Sequence, residues 1–288
     1  MARSQGVLIP SIQYEDLANI DPLIETIAEC WNSKTQVNFD FSKCSYLGAN
    51  GISVLAALFE FRKSKRLRTT ILKDTASKKL QDTLQKFGFL ELFDATKKIE
   101  TTDSMPIFRT CNTNDELKLI DYLDEQLIKK ADFLPQMNDF LAKEIKRSFC
   151  ELLTNVIQHA RSPIGGIFTG QFQRFQKEFQ ICICDRGLGI SERVKMSNEN
   201  IHSTEEALSW ALEKGNSTKD TGNPSGLGLH LLRNFVNVNG GEFRLYANDG
   251  VLSERAGSQK TYPLKAPYPG TLIEVRLKVR DDVKYVLV

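Results

Sequence analysis

The first hundred residues alternate between two kinds of hydrophobic pattern. Residues 36–41 alternate apolar and polar side chains, which is the two-residue period of a strand. Residues 52–66 follow a glycine-containing turn with helical spacing, and residues 69–72 are β-branched and apolar like a second strand. Residues 76–93 carry leucine and phenylalanine on one helical face. This order predicts a small α/β domain with helices covering a sheet.

The pattern changes at a polar stretch, residues 101–105, which we interpret as the boundary between a domain over 1–100 and another over 105–288. Beyond it, apolar positions at helical spacing predict helices over 114–129 and 137–160. After these, we expect strands at 167–174, 179–184, 241–247 and 271–277. We expect short helices at 205–213 and 229–237. Helices followed by mainly antiparallel strands predict an α+β two-layer sandwich.

Composition narrows the class of protein. The 288 residues are 41% hydrophobic and 26% charged, as in ordinary globular domains. The formal net charge of +2 offers no broad basic surface, so we do not expect a nucleic-acid partner. Three histidines, none at metal-ligand spacing, argue against a zinc enzyme. The absence of a secretory leader and of any apolar run near ~18 residues leads us to expect a cytoplasmic protein without a membrane span.

Residues 151–160, ELLTNVIQHA, combine an acid, an amide and an imidazole inside a predicted helix. Glu151, Asn155 and His159 are four residues apart and so share one helical face. An amide oxygen is a ligand that a hydrated divalent cation accepts, and a carboxylate can take a proton or orient a nucleophile. The alternative is the solvated polar face of an amphipathic helix.

Residues 181–190, ICICDRGLGI, are an apolar strand that ends in Asp185, followed by Gly187 and Gly189. A carboxylate here could accept a hydrogen bond from a ligand amine, and glycines would let the backbone pass close to that ligand. A simple turn after a strand would have the same sequence.

Residues 223–232, NPSGLGLHLL, place Gly226 and Gly228 at the start of a helix, an arrangement that presents backbone N–H groups to phosphate. The dinucleotide fingerprint G-x-G-x-x-G is incomplete here and after Asp185, because Leu231 and Glu192 stand at the last glycine position.

These three motifs, in this order, resemble the ATP-binding domain of the GHKL superfamily, the ATPases of gyrase, heat-shock chaperones, histidine kinases and mismatch-repair proteins. The resemblance covers residues 105–280 or so and is closest to histidine kinases and anti-sigma-factor serine kinases. It implies that Asn155 ligates Mg²⁺ and that Glu151 is the general base, on water in an ATPase or on a hydroxyl in a kinase. It also implies that Asp185 accepts from the adenine amino group.

The remaining site residues follow from the same resemblance. Gly187 and Gly189 would form the adenine turn. A late Gly270–Thr271 pair would lie on the adenine side, and Thr271 is the residue of this pair that we predict to belong to the site. The turn that meets the phosphates would be Gly226, Gly228 and Leu229. Residues 191–225 would then be the ATP lid.

The first domain resembles a STAS domain, the fold of anti-sigma-factor antagonists. Asp40-Phe41-Ser42 ends a strand there, and residues 48–51 occupy the turn before a helix. Asn50 stands where that family carries a phosphorylated serine, and because an amide cannot accept phosphate we do not expect switching by phosphorylation. A generic α/β accessory domain is the alternative.

Together these features predict a regulatory protein that binds ATP and Mg²⁺ and acts as an ATPase or a Ser/Thr protein kinase of the anti-sigma-factor type. The alternative is an ATP-dependent conformational switch or scaffold that controls a partner without turnover. A protein partner is expected, and a homodimer is one option. The first domain would dock on the lid or mediate assembly.

Overall fold

The alternating residues near position 38 form the central strand of a three-stranded parallel sheet in the computed structural model of the protein. Its strands, in spatial order, are β1 (Ser4–Leu8), β2 (Gln36–Asp40) and β3 (Thr69–Ile71). The structure describes residues 4–12, 20–72, 74–93, 103–110, 115–128, 139–213, 215–216 and 227–279.

Helices of this N-terminal module connect the strands. They are α1 (Asp21–Ile27), which runs into a 3₁₀ turn at Ala28–Trp31, then α2 (Ala49–Ser64) and α3 (Lys78–Lys86). The helix predicted over 76–93 is shorter than expected because Gly88 takes a left-handed conformation with φ of 68°. A separate 3₁₀ turn at Leu90–Leu92 follows it.

Helix α2 is buried on all sides from Ala49 to Arg62. A helix with apolar residues around its whole circumference must be enclosed by other elements, and α2 indeed contacts β3 on one side and strands of the second sheet on the other. Its first turn contains Asn50, which is 0% exposed, with its side-chain oxygen accepting a hydrogen bond from the Gly51 N–H at 2.8 Å. A protein kinase cannot reach a side chain in that position.

The second sheet has five antiparallel strands in the order β4-β5-β6-β8-β7. The strands are β4 (Ser104–Thr110), β5 (Gly166–Gln173), β6 (Glu178–Asp185), β7 (Glu242–Arg255) and β8 (Ser258–Lys278). The β7–β8 hairpin extends about ten residues beyond the two short strands that its sequence predicted. The outer part was not predicted because polar positions outnumber apolar ones at the tip of the hairpin.

Helices cover the inner face of this sheet. The helices of this part of the chain are α4 (Asp115–Leu123), continued by a π-helical turn to Ile128, α5 (Asp139–His159), α6 (Ile190–Ser197), α7 (Thr204–Leu212) and α8 (Leu227–Val238). Helix α7 begins at a capping box between Ser203 and Glu206, which satisfies two backbone N–H groups.

The two faces of the five-stranded sheet belong to two different cores. Along β6, Ile181 and Ile183 pack into the core under the helices, whereas Cys182 and Cys184 pack into the core shared with the N-terminal module. This alternation follows from the two-residue period of a strand. The N-terminal module therefore covers the outer face of the sheet, with α2 against β5 and β6 and with α1 against β8.

The prediction of a mixed α/β chain whose second part combines helices with an antiparallel sheet is confirmed. The STAS-like character of the first part and the domain limits stay predictions. Strand β1, helix α1, strand β4 and helix α6 were not predicted. No helix within the described ranges is both long enough and apolar enough to cross a lipid bilayer.

Candidate functional site

Strand β6 ends in Asp185, and its carboxylate is buried, with 2% of the residue exposed. The Oδ1 atom accepts a hydrogen bond from the Gly187 N–H at 2.6 Å. Burial raises the pKa of this carboxyl to about 7, although hydrogen bonds from Gly187 and from the backbone and side chain of Thr271 oppose the rise. A buried acid that titrates near neutrality, in a glycine-containing turn, is typical of a functional site.

Gly187 brings the turn against the end of helix α5. A Cβ atom at this position would overlap the carbonyl oxygen of Ala160, the residue after α5. The same carbonyl accepts a hydrogen bond from the Leu188 N–H at 2.9 Å. The turn that carries Asp185 is therefore joined to the helix that carries Glu151 and Asn155.

Gly189 is needed for a different reason. Its φ of 83° is a conformation that side chains disfavour, and a Cβ atom there would overlap the Asn248 side-chain oxygen. Asn248 donates to the Leu188 carbonyl at 3.2 Å and accepts from the Ser191 hydroxyl, so it ties together both sides of Gly189.

The sequence did not predict a role for Asn248 in this turn. It lies at an irregularity of the β7–β8 pairing and has a left-handed φ of 52°. The signal was available, because an Asn-Asp-Gly triplet at 248–250 interrupts a strand pattern, and such an interruption is typical of a β-bulge.

The late Gly-Thr pair lies directly beside Asp185. Gly270 has a φ of 133°, and a Cβ atom there would overlap the Asp185 carbonyl oxygen. The hydroxyl oxygen of Thr271 accepts a hydrogen bond from the Ile190 N–H at 3.0 Å. The Tyr268 hydroxyl, which the sequence did not single out, donates to the Asp185 carbonyl at 3.1 Å.

Glu151 and Asn155 are both half-buried on α5. Their neighbour Leu152 packs into the inner core, so the helix buries one side while the polar pair lies on another. The side chain of His159, one helical turn beyond Asn155, lies outside the described part of the chain.

The predicted phosphate turn is described only in part. Gly226 lies outside the described residues, and Gly228 is in the first turn of α8. Leu229 is 6% exposed and packs into the inner core, where it anchors the start of this helix. Within the predicted lid, residues 191–225, most of α6 and all of α7 are described, whereas residue 214 and residues 217–225 are not.

Asp185 offers this site a hydrogen-bond acceptor for a ligand donor. Asp185 is a buried acceptor carboxylate, and the glycines near it let neighbouring backbone segments approach closely. In the part of the chain that the structure describes, no three His, Cys, Asp or Glu side chains gather as metal ligands. A magnesium ion held by few protein ligands and by phosphate oxygens remains compatible with such a site.

Comparison with protein families gives a match over the middle of the chain. Residues 132–243 match the model of the histidine kinase-like ATPase domain. The matched segment spans Glu151, Asn155, Asp185 and Gly228, whereas Thr271 and the N-terminal module lie outside it. A search of curated proteins finds no match to the chain. The family match supports a GHKL-type ATPase domain, and with it ATP binding, in this part of the chain.

Proposed function

We propose that this protein binds Mg-ATP beside Asp185 and acts as an ATPase or a Ser/Thr protein kinase of the anti-sigma-factor type that regulates a partner protein. The observation that carries the proposal is the buried Asp185 carboxylate at the end of β6. It lies in a glycine turn that is hydrogen-bonded to the end of the helix bearing Glu151 and Asn155.

Asp185 would select the base. An ionised carboxylate only accepts hydrogen bonds, so it pairs with the exocyclic amino group of adenine and not with the carbonyl that guanine has at the same place. Thr271 would hold the carboxylate in place through the bonds it already makes to it, and Gly187 and Gly189 would keep the turn close against Ala160 and Asn248.

Asn155 and Glu151 would act at the phosphates. The amide oxygen of Asn155 would ligate Mg²⁺, an ion that neutralises charge on the triphosphate during phosphoryl transfer. Glu151, one helical turn earlier on the same face, would take the proton from water or from a substrate hydroxyl.

A switch without turnover is the second candidate, because one contact favours it. Arg186, inside the same turn, lies over the rings of Trp31 and Phe61 from the N-terminal module. A change at the nucleotide could therefore be transmitted to that module without any phosphoryl transfer.

The test is incubation of the full chain with γ-labelled ATP and Mg²⁺, following both free phosphate and protein-bound label. Glu151→Ala and Asn155→Ala should abolish turnover, and Lys143→Ala, an exposed change on the same helix, should not. Label on the chain or on an added partner would establish a kinase, and free phosphate alone an ATPase.

Binding of ATP without either product would favour the switch. Failure of the wild-type chain to bind ATP would overturn the proposal altogether. Equal turnover in Glu151→Ala and in wild type would remove Glu151 from the role of base.

A further inference from the structure

Arg186, inside the predicted adenine turn, extends its side chain to the N-terminal module. Its guanidinium lies 4.5 Å from the centre of the Phe61 ring and 5.4 Å from that of Trp31. Phe61 belongs to α2, and Trp31 ends the 3₁₀ turn after α1. A guanidinium over aromatic faces is attracted by the negative potential of the rings.

The two rings are held rigidly. Trp31 is 2% exposed and meets Phe61 edge-on at 5.9 Å between ring centres. It also meets Tyr268 edge-on at 6.1 Å, and the Tyr268 hydroxyl donates to the Asp185 carbonyl. The aromatic cluster of Trp31, Phe61 and Tyr268 therefore contacts the turn at two successive residues, Asp185 and Arg186.

A further contact joins the same two regions. The Cys184 thiol donates to the carbonyl of Ser53 in α2 at 3.5 Å, one residue before Asp185. Three consecutive residues, 184–186, thus contact either the N-terminal module or an aromatic ring that packs on it. The other restraints on the turn, at Ala160 and Asn248, come from the second part of the chain.

We propose that the N-terminal module completes the nucleotide site, with Arg186 acting as a positioning residue that Trp31 and Phe61 hold in place so that Asp185 meets adenine. The inference rests on the proposed function and adds a regulatory route to it. A partner that displaces the module from Arg186 would weaken ATP binding, and by linkage ATP would weaken the binding of that partner.

The chain offers a matched control for Arg186. Lys65 is exposed and places its ammonium 5.8 Å from the centre of the same Phe61 ring, but it is distant in sequence from the turn. Arg186→Met and Lys65→Met both remove a cation from Phe61, and only the first removes it from the turn. Arg186→Lys keeps the charge and loses the planar stack.

The measurement is the Kd for Mg-ATP by calorimetry, with turnover at saturating ATP and thermal unfolding for each full-length variant. We expect Arg186→Met to raise the Kd about fivefold to twentyfold, from the strength of partly buried cation–π contacts. Arg186→Lys should recover part of this loss, and Lys65→Met should stay within about twofold of wild type. The rate at saturating ATP should not change, because a positioning residue for adenine acts on binding.

Trp31 supplies an independent readout that does not depend on Arg186 variants folding. Trp31 and Trp210 are the two tryptophans of the chain, so Trp210→Phe leaves Trp31 as the only indole. ATP should then change the Trp31 emission. An unchanged emission on binding, or equal Kd values for Arg186→Met and Lys65→Met, would overturn the inference while ATP binding itself stands. Absence of ATP binding by wild type would overturn both.

Discussion

Two buried carboxylates on the same five-stranded sheet have opposite surroundings. Glu274 on β8 is 0% exposed, and its Oε1 accepts hydrogen bonds from Arg276 at 2.7 Å and from Gln180 at 2.5 Å. Asp185 at the end of β6 is almost equally buried, but its closest hydrogen-bond donors are the neutral groups of Gly187 and Thr271.

The difference distinguishes a charge that is compensated within the fold from one that is compensated less completely. Glu274 has its countercharge inside the fold, since Arg276 lies 2.7 Å from it and 3.7 Å from Glu178. Asp185 has neutral donors close by and a pKa of about 7, so its charge is less completely compensated. The proposed role of Asp185 follows from this difference, because a ligand amine would donate the hydrogen bond that the carboxylate does not receive from a charged group of the fold.

The same contrast runs along the outer face of β6. Its first half carries Glu178 and Gln180, which join the charged network, and its second half carries Cys182 and Cys184, which pack into the core shared with α2. The N-terminal module thus covers the apolar end, the end where Asp185 stands.

The largest effect on folding stability should come from breaking the ion pair between Glu274 and Arg276. Glu274→Ala leaves Arg276 buried with a weaker partner, and we expect it to lower the free energy of unfolding by about 3–5 kcal/mol. Urea unfolding measures this. The double change Glu274→Leu with Arg276→Leu should cost less, because the carboxylate that then loses Arg276, Glu178, is 14% exposed and keeps Lys278 nearby. Equal losses in the single and double variants would show that Glu274 does not act through its charge.

Asp185→Asn should affect binding far more than folding. An amide cannot match the donors of Gly187 and Thr271 and the adenine amino group together, so ATP affinity should fall about 10–100-fold, as for a lost hydrogen bond to a charged group. Calorimetry measures the Kd. The unfolding free energy at pH 8 should hold or rise, because a buried charge has been removed. Asp82→Asn, at an exposed surface pair, is the control and should leave the Kd unchanged.

The smallest expected effect is the pH dependence of ATP binding. It is also the sharpest test of the difference between Asp185 and Glu274. Since the pKa of Asp185 is about 7 in the fold, protonation below that pH should weaken ATP binding by up to about tenfold per unit. Of the groups near it, burial raises the pKa of the Cys184 thiol and of Tyr268, and Arg186 stays charged, so none titrates in this window.

The free energy of unfolding should also depend on pH through Asp185. A carboxyl whose pKa is raised on folding contributes stability below its ordinary pKa of 3.8, and that contribution is lost as the pH rises to about 7. Urea unfolding between pH 4 and 8 measures it. Asp185→Asn should flatten this part of the curve, and an unchanged slope would show that Asp185 is ionised throughout.

Local patterns predicted much of the fold and of the site. Asp185, Gly187 and Gly189 follow one another along a strand and its turn, so their proximity needs no tertiary information. Glu151 and Asn155 share a helical face for the same reason. The family match to residues 132–243 supports the ATPase domain that these motifs indicated.

What the sequence could not predict lies in contacts between distant segments. Asn248 reaches Leu188 from a bulge in β7, and Arg186 reaches Trp31 and Phe61 across more than a hundred residues of chain. Strand β4 was not predicted, and its first two residues were assigned to the polar boundary at 101–105, because its pairing with β5 depends on a partner some sixty residues away.

The sequence alone therefore determined the periodic elements and the glycine turn beside Asp185, because hydrophobic period and backbone conformation depend on neighbouring residues. Only the tertiary structure decided that the N-terminal module covers the outer face of the five-stranded sheet and that Arg186 lies over the Trp31 and Phe61 rings. Burial and packing depend on which surfaces meet, and the apolar positions of α2 and β6 specify only that each must be covered.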